Sequence, residues 1–288
     1  MTKRAIRLTQ LGLVVNGLLA SIKLLAGIVG HSQALVADAT ESFADLFSSA
    51  VVWGGVQIAG RGPDEDHPFG HGKAEALAAG VVGVMLLVAA LAIAIGAFRE
   101  IVRPHQVPAP FTLGVLVGVV LVKEVLFRVV RRGAAAIGSY AVTADAWHHR
   151  SDAITSAAAF VGISVALIGG PGWEAADDVA ALAASVIVVF NGIRVLRPAV
   201  DELMDRAPDA VLLDVVSRAA LSVPGVLAIE KLRGRKHGRQ YFLDIHVQAD
   251  SGLSLRDAHI LSGKVKTAIR TAQPMVENVL VHMEPFEP

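Results

Sequence analysis

The chain is 288 residues long, 53% hydrophobic and only 18% charged, with a formal net charge of zero and a mean hydropathy of +0.55. That is too apolar for an ordinary soluble protein and carries no basic excess, so it reads as a membrane protein and argues against nucleic-acid binding. Without cysteine there are no disulfides, thiolate ligands or thiol nucleophile, and any metal must be held by His, Asp and Glu.

In chain order, residues 11–29 form the first apolar run, long enough at about 1.5 Å per residue to cross a hydrocarbon core of about 30 Å. Asn16 and Lys23 interrupt it. Lys3, Arg4 and Arg7 precede it, but the run is long and no A-x-A-like cleavage site follows, so a retained helix is expected. Further spans are predicted at residues 34–59, 76–98, 111–130, 142–168 and 179–196, and six spans place both termini on one side. Ten Lys and Arg in the connections fall on that side, against Arg99 and Arg103 on the other. Both termini are therefore expected to be cytoplasmic, in a cell (inner or plasma) membrane.

The second span carries Asp38, Glu41 and Asp45, the last two one helical turn apart on one face. Carboxylates in hydrocarbon are costly and normally face a partner, a cation or a water-filled path. The fifth span answers them with His148 and Asp152 at the same spacing. Residues 37–50, ADATESFADLFSSA, align in register with residues 144–157, ADAWHHRSDAITSA. The predicted topology makes these repeats antiparallel, a known way of building a site near the membrane midplane. Glu41, Asp45, His148 and Asp152 then give three carboxylates and one imidazole, a set suited to a divalent transition metal. Asp38 and Asp145, one turn earlier in each repeat, are expected in supporting roles. Lys123 and Glu124 in the fourth span are read as a packing or interfacial pair, outside the site.

Residues 62–75, GPDEDHPFGHGKAE, form a predicted cytoplasmic loop in which Asp64, His67 and His71 offer a second metal site, while Pro63, Pro68, Gly70 and Gly72 hold a non-helical path. The alternative is that the two histidines cap the third helix or touch the soluble domain. Lys73 is too strongly hydrated to be buried alone and is expected to meet a carboxylate.

The composition changes after the sixth span, giving expected domains at residues 1–205 and 206–288. In the second, a helix is predicted from Pro208 or Asp209 to about Ser222, then strands at residues 226–232 and 241–249 around a Lys236-His237-Gly238 turn. Tyr241, Leu243, Ile245 and Val247 alternate with Phe242, Asp244, His246 and Gln248, as in a half-solvated sheet. Ser254 opens a second helix with Asp257 as its capping-box partner, and residues 276–283 form a last strand. The fold class is thus an α-helical membrane protein, a six-span bundle with a C-terminal cytoplasmic αββαβ domain.

The acidic pair of the second span, the run from His148 to Asp152 and the loop Asp66-His67-Pro68-Phe69-Gly70-His71-Gly72-Lys73-Ala74-Glu75 together resemble the cation diffusion facilitator family. The resemblance covers essentially the whole chain. It implies a homodimeric exporter of Zn²⁺ or related divalent ions driven by proton antiport, with Glu41, Asp45, His148 and Asp152 at the transport site and Asp64, His67 and His71 at the loop site. It also implies that the tail is a metallochaperone-like dimerisation domain with His246, His259, His282, Glu284 and Glu230 at metal-ligand positions. Asp205 resembles the carboxylate that pairs across the dimer with the position of Lys73. Glu41 departs from the family pattern, which has His or Asp there, so Fe²⁺, Mn²⁺, Co²⁺ and Cd²⁺ stand beside Zn²⁺ as cargo. Two other classes are weighed: a membrane metal sensor or scaffold, which would not need the intramembrane quartet, and a membrane metallohydrolase, for which the chain offers no HExxH helix. No GxxxxGK[ST] stretch indicates a nucleotide site.

Overall fold

The computed structural model describes residues 3–102, 107–137, 140–170, 173 and 175–286, with the side chains of residues 3–9, 11 and 133–151 outside that description. Six long helices come first: α1 (Lys3–Val29), α2 (Gln33–Ala59), α3 (Lys73–Val102), α4 (Phe111–Ile137), α5 (Tyr140–Ile168) and α6 (Ala176–Leu203). Each predicted span has its helix. Several helices outrun the predicted spans, as α3 and α4 do beyond positions 98 and 130, because Arg and Glu are good helix formers that continue a helix past the apolar stretch. Among the described residues, Gly12–Val29, Lys73–Val102 and Ala176–Leu203 are long and apolar enough to cross a membrane by composition alone. α2 and α4 are interrupted by the charges that make them interesting, Asp38, Glu41 and Asp45 in one and Lys123 and Glu124 in the other. Large apolar side chains such as Leu18, Val88, Leu91 and Phe190 are exposed on these helices while Lys23, Asp38 and Lys123 are buried, the inside-out pattern that lipid imposes.

The chain divides into two compact units, residues 1–51 with 81–195, and residues 52–80 with 196–288. In the first, α2 and α5 cross antiparallel. Ala34 and Leu35 cluster with Ala159 and Ile163, and Asp38 Oδ2 accepts a 2.8 Å bond from Ser156 Oγ, so moving forward along α2 means moving back along α5. The start of α2 is fixed from α6. Asp177, fully buried, accepts from Ser32 Oγ at 2.9 Å and from the Gln33 and Ala34 backbone N–H groups at 2.6 and 3.4 Å. A carboxylate there satisfies orphan donors and complements the helix dipole. A Cβ on Gly162 would stand 2.4 Å from that of Ala180, so glycine is what lets α5 and α6 approach closely.

In the second unit, α7 (Ala210–Leu221), β1 (Ala228–His237), β2 (Gln240–Ala249), α8 (Leu255–Ala272) and β3 (Val276–Pro285) make the αββαβ domain. The sheet order is β1-β2-β3, antiparallel and then parallel. Leu243, Ile245 and Val247 of β2 are buried under Leu212 and Val216 of α7, Leu261, Val265 and Ile269 of α8 and Val279 of β3, as the alternation predicts. Asp209 caps α7 by accepting from Leu212 N–H at 2.8 Å. Ser254 caps α8, but Asp257 takes a 2.6 Å bond from the Ser254 hydroxyl in addition to giving its N–H to that oxygen; the expected reciprocal bond to the Ser254 backbone is replaced. The predicted turn also needs correction. β1 runs through Lys236 and His237, and the turn is Gly238-Arg239, with Gly238 at φ +64°, a conformation glycine adopts without penalty.

Candidate metal centres

The first centre lies in the helical unit. Glu41 sits within Coulombic reach of Asp38, Asp45 and Asp152 and of Lys23. Asp38 and Glu41 line a cavity of about 600 Å³ whose other walls include Thr155, Ala159 and Gly162 and which reaches Trp173, between α5 and α6. The α2/α5 register carries Asp45 toward the turn of α5 that bears Asp152. Glu41, Asp45 and Asp152 thus share one acidic region, but among the described residues they do not form a group with ligand atoms within 4.8 Å of one another, as the loop and sheet residues below do. The side chains of His148 and Asp145 lie outside the described residues.

Two buried lysines face this region. Lys23 Nζ lies 3.0 Å from Asp38 Oδ1 and donates to Asp38 O at 3.1 Å and Ser42 Oγ at 2.6 Å. Lys123 Nζ lies 2.5 Å from Asp152 Oδ2 and 2.8 Å from Asn16 Oδ1. Reading Lys123 with Glu124 as a packing or interfacial pair is thus corrected. Glu124 pairs instead with Arg128 one turn on, at 2.8 Å, and Lys123 reaches a candidate ligand. The available signal was charge balance, since two cations within apolar runs imply anions at the same depth.

The second centre is the loop. Asp64 Oδ1 lies 3.0 Å from His67 Nδ1 and Oδ2 lies 3.3 Å from His71 Nε2. The two rings are 4.3 Å apart, and one ligand atom from each of the three residues falls within 4.8 Å of the others. The turn closes through Gly70, at φ +81°, whose N–H donates to His67 O at 2.9 Å. Burial acts to raise the Asp64 carboxyl, but bonds from the His67 backbone and ring and the charges of both histidines hold it below its ordinary value. Phe69 meets Phe242 edge-on at 5.8 Å, so it is Phe69 of the loop, rather than either histidine, that is seen against the αββαβ domain. His237 packs beside Gly72 rather than standing solvated in its turn.

The third centre is on the open face of the sheet. The parallel register sets His246 beside His282, with rings 4.9 Å apart, and Glu284 Oε1 accepts from His246 Nδ1 at 2.7 Å and lies 3.5 Å from His282 Nε2. Glu230 is the extra residue of a bulge between Ile229 and Lys231, which turns its carboxylate to within 3.8 Å of His246. Bulges re-aim side chains in this way. A hydrogen bond from Glu230, then one from His246, holds Glu284 below its ordinary value, and the same carboxyl pair raises Glu230. His259 is exposed on α8 and is not in this group, because its helix covers the opposite sheet face.

Lys73 donates to Asp205 at 2.8 Å, the carboxylate partner expected for it. Asp205 has φ +55° and ends α6 in a Schellman-type turn, with Arg206 N–H bonded to Asp201 O at 2.9 Å, a place where glycine is usual. The bond from Lys73, with Lys73 and Arg235 charges, holds Asp205 below its ordinary 3.8. A lowered carboxyl contributes stability above that value and loses it as pH falls through the folded one. Asp205→Asn is therefore expected to cost about 0.2–1 kcal/mol at pH 7, as exposed pairs do, and Asp205→Gly less, because glycine relieves the positive φ. Thermal unfolding from pH 7 to below pH 4 checks this: Asp205→Asn and wild type should converge at the acid end.

Helices with apolar outer faces, buried ions inside and a small αββαβ domain bearing carboxylate–imidazole groups define a multi-pass membrane protein with metal-handling chemistry. The cation efflux transmembrane domain matches residues 9–204, and the cation efflux protein cytoplasmic domain matches residues 208–286. The manganese efflux system protein MneP of Bacillus subtilis is 31% identical over 97% of this chain and 96% of its own length. Metal tolerance protein C1 of Arabidopsis thaliana is 32% identical over 97% of this chain, which spans 62% of that protein. The solved MamM-CTD aligns with 26% of this chain and 96% of its own at 25% identity, with a TM-score of 0.26. The chain belongs to the cation diffusion facilitator family, and it is a divalent-metal efflux transporter rather than an enzyme.

Proposed function

We propose that this protein exports a divalent transition metal by proton antiport and alternating access, as a homodimer with both termini in the cytoplasm. Residues 1–205 are the transport domain and 206–288 the cytoplasmic dimerisation domain. Glu41, Asp45, His148 and Asp152 take the cargo; Asp64, His67 and His71, and separately His246, His282 and Glu284 with Glu230, hold loading or regulatory ions. The observation that supports this reading best is that Glu41 lies within electrostatic range of Asp45 and Asp152 and lines a cavity of the helical unit. A metal ligand must be deprotonated, and an imidazole titrates near pH 6.5, so protons and metal compete at His148. Metal binding expels protons inside, and proton uptake from the far side weakens the ligands and frees the cargo.

Zn²⁺ and Mn²⁺ are the leading cargoes, with Fe²⁺, Co²⁺ and Cd²⁺ behind them. Imidazole suits Zn²⁺, whereas three oxygen donors including Glu41, together with the manganese in the name of MneP, favour Mn²⁺. Proteoliposomes carrying a metal dye and a pH dye test both parts. Metal uptake with proton movement in the opposite direction is expected. Binding without flux would make the protein a sensor, and flux without proton counterflow would remove the antiport. In competition among the five ions, Glu41→His should shift preference toward Zn²⁺ and Glu41→Asp should not. An identical order in all three proteins would deny Glu41 its role in selection.

A further inference from the structure

The two buried lysines are not equivalent. Lys23 spends all three N–H donors on Asp38 O, Asp38 Oδ1 and Ser42 Oγ, and Asp38 is held in turn by Ser156. That assembly is a closed brace between α1, α2 and α5. Lys123, 1% exposed on α4, bridges Asn16 of α1 and Asp152 of α5. Its charged partner is itself a candidate metal ligand, and Asp152 Oδ2 cannot serve the ammonium and a metal ion at full strength together.

We infer that Lys123 is a tethered cation that competes with the metal for Asp152 and thereby sets the affinity for the cargo; this rests on the assignment of Asp152 to the transport site. Among the described residues, Asp38, Glu41, Asp45 and Asp152 lie in one electrostatic neighbourhood with Lys23 and Lys123. Ion–ion energies are large where the dielectric is low, so the ammonium weighs heavily on whether Asp152 holds a metal. It also gives the site a built-in displacing group: as the metal loosens, Lys123 recovers Asp152 and opposes rebinding, so Lys123 acts as a positioning residue.

Calorimetric titration of full-length protein in nanodiscs with Zn²⁺ and with Mn²⁺ tests the inference. Lys123→Gln keeps a hydrogen-bond donor but removes the charge, and should bind both ions at least about tenfold more tightly while proteoliposome flux shows a lower KM and a lower kcat. Lys123→Arg keeps the charge and grips the carboxylate with parallel N–H groups, and should bind severalfold more weakly. The two variants move in opposite directions, so either decides the matter if the other fails to fold. Unchanged or weaker binding by Lys123→Gln, or unchanged or tighter binding by Lys123→Arg, overturns the tethered cation. Asp152→Asn separates this from the parent reading: with wild-type affinity and flux there, Asp152 is no ligand; with both lost, any failure of the lysine variants belongs to Lys123 alone.

Discussion

Lys23→Met is expected to destabilise the helical unit by about 3–5 kcal/mol, the cost of breaking one side of a buried ion pair and leaving the other uncompensated. Lys23 is fully buried and Asp38 is 5% exposed, so water offers neither much relief. Ser156 would remain as a donor to Asp38, while Ser42 and the Asp38 carbonyl would lose theirs. The double variant Lys23→Met with Asp38→Leu should recover most of the loss, because a well-packed apolar pair is often as good as the ion pair it replaces. Denaturant unfolding of purified protein in detergent, with both single variants closing the cycle, measures this. A Lys23→Met loss under about 1 kcal/mol would mean that the ammonium contributes no more than an ordinary intramembrane hydrogen bond. The same cycle on Lys123 and Asp152 should give a smaller coupling, if that contact is the exchangeable one.

The bundle was legible because lipid asks for about twenty apolar residues per span, and even α2, with three carboxylates, kept enough of them to be seen. Helix ends were less so, since an arginine at the membrane edge extends a helix without altering its apolar run. In the soluble domain the period-two alternation of β2 named its buried face residue by residue. β1 runs on through Lys236 and His237, which read as turn residues in the sequence, because only their pairing with Tyr241 and Gln240 decides where the strand ends. Spacing identified Asp64, His67 and His71, which are neighbours in sequence. It could not place Glu230, which depends on a bulge, or exclude His259, whose helix packs on the far side of the sheet. Lys123 was lost for a related reason: Asp152 lies 29 positions away, and helical periodicity relates residues within a helix but says nothing of which helices touch.

Asp45→Ala should lower metal flux by at least about a hundredfold while leaving the protein folded. Outer groups that merely orient a ligand already cost 10–100-fold when removed, and loss of a ligand costs no less. Folding should survive because the Lys23 brace runs through Asp38 and Ser42, and removing one of several mutually repelling carboxylates relieves Glu41. Asp45→Ala is therefore expected to be as stable as wild type or more so, the opposite of Lys23→Met, although both positions lie in the same helical unit. Stability and flux thus separate the brace from the site. Proteoliposomes loaded with a metal-sensitive dye give the flux, and unfolding of the same preparation gives the stability. Full flux in Asp45→Ala would remove that carboxylate from the transport site. Lost flux with equally lost stability would make Asp45 part of the scaffold, leaving Glu41, His148 and Asp152 to hold the cargo.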